Sequence, residues 1–126
     1  MKILIVDDEQ DVETLFLQKF RKEIKSKELE VMFAFSGVEA LRLLSEEDFP
    51  EGVYVFSDIN MPGMTGLELL EIIKGRFSHI HVSMISAYRD TDNYEKAIKS
   101  GAKRFFSKPV DFESLKQEIA EMLTNK

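Results

Sequence analysis

Short apolar runs at Lys2–Val6, Val31–Phe35, Val53–Ser57, Val82–Ile85 and Arg104–Phe106 are rich in β-branched and aromatic residues, and they predict five strands. Between them, apolar residues recur at helical spacing: Val12, Leu15, Phe16, Phe20 and Ile24; then Val38, Leu41 and Leu44; then Leu67, Leu70 and Ile73; then Tyr94, Ala97 and Ile98. A fifth helix is predicted from Phe112, Leu115, Ile119 and Leu123. The polar punctuation agrees with this division. Ser36 stands three residues before Glu39 in capping-box spacing, and Asp111 can cap the last helix. Gly101 follows Lys99-Ser100 where a helix end favours a left-handed residue, and Gly75 is a second stop signal. No repeat, low-complexity stretch or linker interrupts the pattern, so residues 1–126 are expected to form one domain.

Five βα units in succession imply a parallel sheet with right-handed crossovers and helices on both faces. The expected fold is α/β, a flavodoxin-like doubly wound (βα)5 domain with strand order 2-1-3-4-5. In that order the switch point, where ligands bind, lies between strands 1 and 3 at their carboxyl ends. Asp7-Asp8 follow the first predicted strand and Asp58 the third. Ser86 and Lys108 follow the fourth and fifth.

Side chains at these ends converge on one edge of the sheet. Three carboxylates crowded there repel one another unless a cation neutralises them. Mg²⁺ suits such a site: it takes one or two carboxylates, keeps several waters and engages phosphate oxygens. Lys108 offers a compact positive charge and Ser86 a hydroxyl donor, both suited to phosphoryl oxygens. A carboxylate can itself accept a phosphoryl group, and Asp58, alone on its strand, is the best candidate. Taken singly, each residue has a duller role: turn-forming acids, a turn hydroxyl, a solvated loop lysine. Four complementary groups on four separate strand ends favour the shared site.

Composition narrows the partners. A net charge of −6 argues against direct nucleic-acid binding, which draws on a basic face. No apolar run approaches the ~20 residues that span a bilayer. The apolar start Met1-Lys2-Ile3-Leu4-Ile5-Val6 ends at once in Asp7-Asp8-Glu9 without a small-residue cleavage site, so it reads as a strand and not as a signal peptide. With no cysteine, thiolate metal sites, cysteine nucleophiles and disulfides are excluded, and a cytoplasmic location is expected.

Four blocks, IVDDE at 5–9, SDINMPGMTGLELL at 57–70, MISAY at 84–88 and GAKRFFSKP at 101–109, closely resemble the receiver domain of two-component response regulators. The resemblance runs from Met1 to about Asn125. It implies that Asp58 accepts a phosphoryl group from a histidine kinase or a histidine phosphotransfer protein, in a phosphorylation-dependent signalling switch. It implies further that Asp8, Asp58 and the backbone carbonyl of Asn60 ligate Mg²⁺, or Mn²⁺ in its place, with Asp7 acting through a metal-bound water. Ser86 and Lys108 would contact phosphoryl oxygens. The residue three before the lysine, Phe105, would complete the switch, although it lacks the hydroxyl that a tyrosine there would use outside. Asn60 and Tyr88 would tune phosphoryl lifetime, and the Lys108-Pro109 peptide would be cis. An output domain, or a second copy in a homodimer, would read the surface of the fourth helix, fifth strand and fifth helix. Such a protein is no conventional enzyme, since it catalyses only transfer to Asp58 and hydrolysis from it.

Three other readings compete. A small phosphatase of the haloacid dehalogenase type also uses a strand-end aspartate, and Glu9 stands two residues after Asp7 as its second acid would; such enzymes need more chain and leave the Asp58 block unexplained. A flavodoxin-like cofactor carrier would want a phosphate loop after the first strand, where acids stand instead. A receiver-like interaction module that works without phosphorylation is the third. His79 and His81 are two apart but have no further His or Cys to complete a metal site; Arg21-Lys22-Glu23 with Lys25-Ser26-Lys27-Glu28 reads as a solvated face, and Met61, Met64 and Met84 as gap fillers. The sequence leaves open whether the chain is a stand-alone regulator or the receiver of a larger protein.

Overall fold

Along β1 (Lys2–Val6), Ile3 and Ile5 enter one apolar cluster while Leu4 and Val6 enter another, as the two-residue period of a strand buried on both faces requires. β3 (Val53–Asp58) repeats the division, with Val53 and Val55 in the second cluster and Tyr54 and Phe56 in the first. All six of its residues are buried, which makes it the central strand. The computed structural model describes residues 1–86, 91–108 and 111–124. It completes the sheet with β2 (Glu30–Ala34), β4 (His81–Ser86) and β5 (Phe105–Ser107), all pairs parallel, in the order β2-β1-β3-β4-β5. The doubly wound α/β topology is as expected.

Among the described residues, six α-helices cover the faces: α1 (Gln10–Lys19), α2 (Arg21–Lys25), α3 (Gly37–Ser45), α4 (Gly66–Arg76), α5 (Thr91–Lys99) and α6 (Phe112–Thr124). α1 and α6 pack on the Ile3 face through Phe16, Leu115 and Ile119, joined by Phe20 from between α1 and α2; α3, α4 and α5 pack on the other through Ala40, Leu44, Leu69, Leu70, Ile73 and Ala97. The fourth helix, fifth strand and fifth helix of the expected output surface are therefore α5, β5 and α6.

Four local expectations are corrected. The first predicted helix is two, because Phe20 leaves helical geometry (φ −106°, ψ 20°) while its ring stays buried against Phe16 at 5.8 Å between centroids. Val38 is 68% exposed, since α3 turns the small residues Gly37 and Ala40 inward, letting the helix approach closely. Gly75 does not end a helix: it lies inside α4, whose cap is Phe77, with its N–H on the Ile73 carbonyl. The outer strands lie one residue off the expected bounds, β2 earlier and β5 later. Other punctuation is as expected, except that the box at Ser36 is half formed, with Glu39 Oε1 accepting the Phe35 N–H at 3.4 Å. The Ser36 hydroxyl accepts the Glu39 N–H at 3.1 Å, the Asp111 carboxylate accepts the N–H groups of Glu113 and Ser114, and Gly101 has φ +102°.

Candidate functional site

Each site residue is fixed by backbone bonds where its strand runs out. Asp7 follows β1: its N–H donates to the Ala34 carbonyl at 3.1 Å, and its Oδ1 accepts the Glu9 N–H at 2.9 Å. That turn lifts the neighbouring Asp8 into solvent, whereas Asp7 is only 6% exposed. Asp58 and Ser86 are the last residues of β3 and β4, not the first beyond them. After Asp58 the Ile59 N–H donates to the Ile85 carbonyl at 3.2 Å, and the Gly66 N–H to the Ile59 carbonyl at 2.8 Å. Lys108 is tied to β4 by its own N–H, 2.7 Å from the Ser86 carbonyl.

Asp7, Asp8 and Asp58 come together: one carboxylate oxygen from each lies within 4.8 Å of the others. The Lys108 ammonium reaches in from β5, with Nζ 2.9 Å from Asp7 Oδ2 and 3.5 Å from Asp58 Oδ2. Burial pushes the Asp58 carboxyl above its ordinary value of 3.8; the Lys108 charge opposes this, the Asp7 charge adds to it, and hydrogen bonds from Lys108 and the Asn60 N–H pull it back in part. Burial would by itself lower the Lys108 amine, but the hydrogen bond to Asp7 and the charges of Asp58, Asp7 and Glu9 outweigh it, so the amine is raised and stays cationic. Lys108 thus sets one positive charge against the two buried acids, Asp7 and Asp58. An all-oxygen donor set of two buried carboxylates and one exposed carboxylate, open to water on the Asp8 side, fits a hard divalent ion.

The other expected residues divide. Ser86 is wholly buried, and its register partner on β5 is Ser107, while Phe105 pairs with Met84. By the strand period Ser86 and Phe105 therefore share the sheet face that α5 covers. Phe105 is half-buried against the core there, edge-on to the Tyr94 ring at 5.5 Å. Asn60 is exposed beside the acids. Tyr88 and Pro109 lie outside the described residues. The His81 ring lies tilted against Tyr54, 5.6 Å between centroids, and takes no part in the acid cluster.

Four residues beside Asp58 were not singled out from the sequence. Thr65 and Glu68 form a full capping box at the start of α4, a signal visible in the spacing. Gly66 has no such signal. A Cβ there would lie 2.0 Å from the Asp58 carbonyl oxygen, so only glycine lets α4 begin this close against β3. Ser57 is a buried hydroxyl at a position where β3 otherwise carries valine.

Among the described residues, no helix is long and apolar enough to cross a membrane. A model of the family described as the response regulator receiver domain matches residues 3–120. The response regulator protein PilR of Pseudomonas aeruginosa is 34% identical over 97% of this chain, which spans only 26% of PilR's length. Sporulation initiation phosphotransferase F of Bacillus subtilis is 31% identical over 97% of the chain and 93% of its own length. Among solved structures, a response regulator receiver domain protein from Clostridium thermocellum superposes with a TM-score of 0.78 at 31% identity, covering 98% of this chain and 94% of that one. With five parallel strands delivering an acid cluster and a lysine to one edge, the chain belongs to the family of receiver domains of two-component response regulators, phosphorylation-dependent signalling switches.

Proposed function

We propose that Asp58 is the phosphoacceptor and that residues 1–126 form a single receiver domain. The observation that carries this reading is the Asp58 carboxylate, buried at the switch point with Asp7 and Asp8 within 4.8 Å and the Lys108 ammonium at 3.5 Å. Receiver domains are phosphorylated by histidine kinases or phosphotransfer proteins, and they bind Mg²⁺ at an acidic pocket.

In the proposed transfer an Asp58 carboxylate oxygen attacks the phosphorus of a donor phosphohistidine. The oxygen–phosphorus bond forms as the phosphorus–nitrogen bond breaks, and the electron pair returns to the imidazole. Lys108 leaves the Asp7 and Asp58 oxygens for a phosphoryl oxygen, and the Ser86 hydroxyl donates to another. Asp8, Asp58 and the Asn60 carbonyl would hold Mg²⁺, or Mn²⁺ in its place, with Asp7 acting through water; the bound ion neutralises the acids and the charge on the phosphoryl oxygens. Hydrolysis reverses the gain, as water attacks phosphorus and the Asp58 carboxylate leaves. Asn60 and Tyr88 tune that step.

Drawing Ser86 toward the phosphoryl group frees space behind it on the face it shares with Phe105. The ring then settles inward, away from Tyr94, and changes the surface of α5, β5 and α6. An output domain or a second copy of the chain reads that surface. A bias of ~1–3 kcal/mol between the two states alters partner affinity ~5–150-fold. The reading carries with it a cytoplasmic location, expected from the family and from a chain without cysteine.

The test is incubation with acetyl phosphate and Mg²⁺ followed by intact mass. The wild type gains one phosphoryl group and Asp58→Asn gains none. An adduct undiminished in Asp58→Asn overturns the assignment.

A further inference from the structure

β3 reads V-Y-V-F-S-D, and its first and third residues, Val53 and Val55, belong to the apolar cluster beneath α3, α4 and α5. Ser57 follows in the same phase and is wholly buried, so a hydroxyl stands where the pattern calls for a third apolar side chain. The ladder with β1 stops at Val6, opposite Ser57. Because the Ile59 N–H turns toward β4, the carbonyl of Asp58 turns the other way, beyond the last β1 rung. A buried carbonyl at that point needs a donor from elsewhere. The Ser57 hydroxyl supplies it, donating to the Asp58 carbonyl oxygen at 2.9 Å. Gly66 closes on the same oxygen from the α4 side, near enough that no Cβ would fit.

We propose that Ser57 is a positioning residue for the phosphoacceptor: its hydroxyl fixes the Asp58 carbonyl and so sets the direction in which the Asp58 carboxylate leaves the strand. The inference rests on the reading of Asp58 as acceptor. The two peptide groups that begin the site loop are then held by three bonds: the first at both ends, the Asp58 carbonyl by Ser57 and the Ile59 N–H by Ile85, and the second by the Ile59 carbonyl on Gly66. The Asn60 N–H that bonds the Asp58 carboxylate comes next in the chain. Removing the hydroxyl leaves a sheltered carbonyl unpaired one bond from the acceptor's Cα, and its peptide plane held at one end instead of two, by the Ile59 N–H on Ile85.

The experiment compares the wild type, Ser57→Ala and Ser57→Cys for the rate of adduct formation with acetyl phosphate at saturating Mg²⁺, below the melting temperature of each. Loss of one hydrogen bond corresponds to a fall in the maximal rate on the order of fivefold in Ser57→Ala. The half-saturating acetyl phosphate concentration stays unchanged, because Ser57 does not touch the phosphoryl donor. Ser57→Cys, similar in size with a weaker donor, falls between. A maximal rate in Ser57→Ala equal to that of the wild type overturns the inference alone, whereas a wild type that gains no adduct overturns the acceptor reading together with it. If Ser57→Ala does not fold, Ser57→Cys decides: a reduced maximal rate supports the role, and an unchanged one overturns it.

Discussion

At the scale of single residues, the site is a problem in charge. Asp58 is 5% exposed, and burial raises its carboxyl above the ordinary 3.8. A group whose folded pKa is raised contributes stability that is full below its unfolded pKa and is lost as pH rises through the folded one. In metal-free protein the contribution of Asp58 is therefore present in acid and gone at neutral pH, where its buried charge works against the fold. Thermal melts in EDTA should show the melting temperature of Asp58→Asn rising relative to the wild type as pH increases from about 4 toward 7. Curves that stay parallel would remove burial as the dominant influence. Asp7, Asp8, Asp58 and Lys108 were legible in the sequence because strand ends converge whatever the details of packing. Ser57 and Gly66 were not, since their roles depend on where one carbonyl points and how closely α4 starts against it.

At the scale of elements, periodicity placed every strand but misjudged which side of a helix faces inward. α3 turns Gly37 and Ala40 to the sheet and leaves Val38 outside, because closeness of approach outweighs the gain from one buried valine. Met64 lies in the space that Gly37 leaves, so a Cβ at that position would overlap its sulfur. Gly75 shows the opposite case, a glycine with no steric task. It lies inside α4, its φ is not positive, and a Cβ there meets nothing within 4 Å. Gly75→Ala should therefore stabilise the protein by ~0.5–1 kcal/mol, from the lower entropy of the unfolded chain and the better helix former. Urea denaturation measures it, and a loss of stability would mean that the backbone there needs glycine after all. A glycine at the end of a helical pattern reads as a stop in sequence; only the bond from the Phe77 N–H to Ile73 shows that the helix runs on.

At the scale of the whole molecule, the acid cluster joins residues from the first strand and the third, so a ligand bound there links the sheet across its centre. Anything that binds only the folded chain stabilises it by mass action, ~2.7 kcal/mol at a hundredfold excess over the dissociation constant. Mg²⁺ should thus raise the melting temperature in a concentration-dependent way. Asp8→Ala should abolish most of that rise and Asp7→Ala less of it, because Asp7 also engages Lys108 at 2.9 Å. A rise that survives in Asp8→Ala would move the ion elsewhere.

The bond between Lys108 and Asp7 spans 101 residues of chain. During synthesis all three acids emerge well before the amine that faces them, and a nascent chain that has made β1 and β3 holds their repulsion without its counterweight. Until β5 docks beside β4, the counter-charge to those carboxylates has to come from dissolved cations. The acid cluster is therefore electrically finished last, by the strand that also carries Phe105, so the charge balance of the site and the surface proposed to report on it are completed in one docking event.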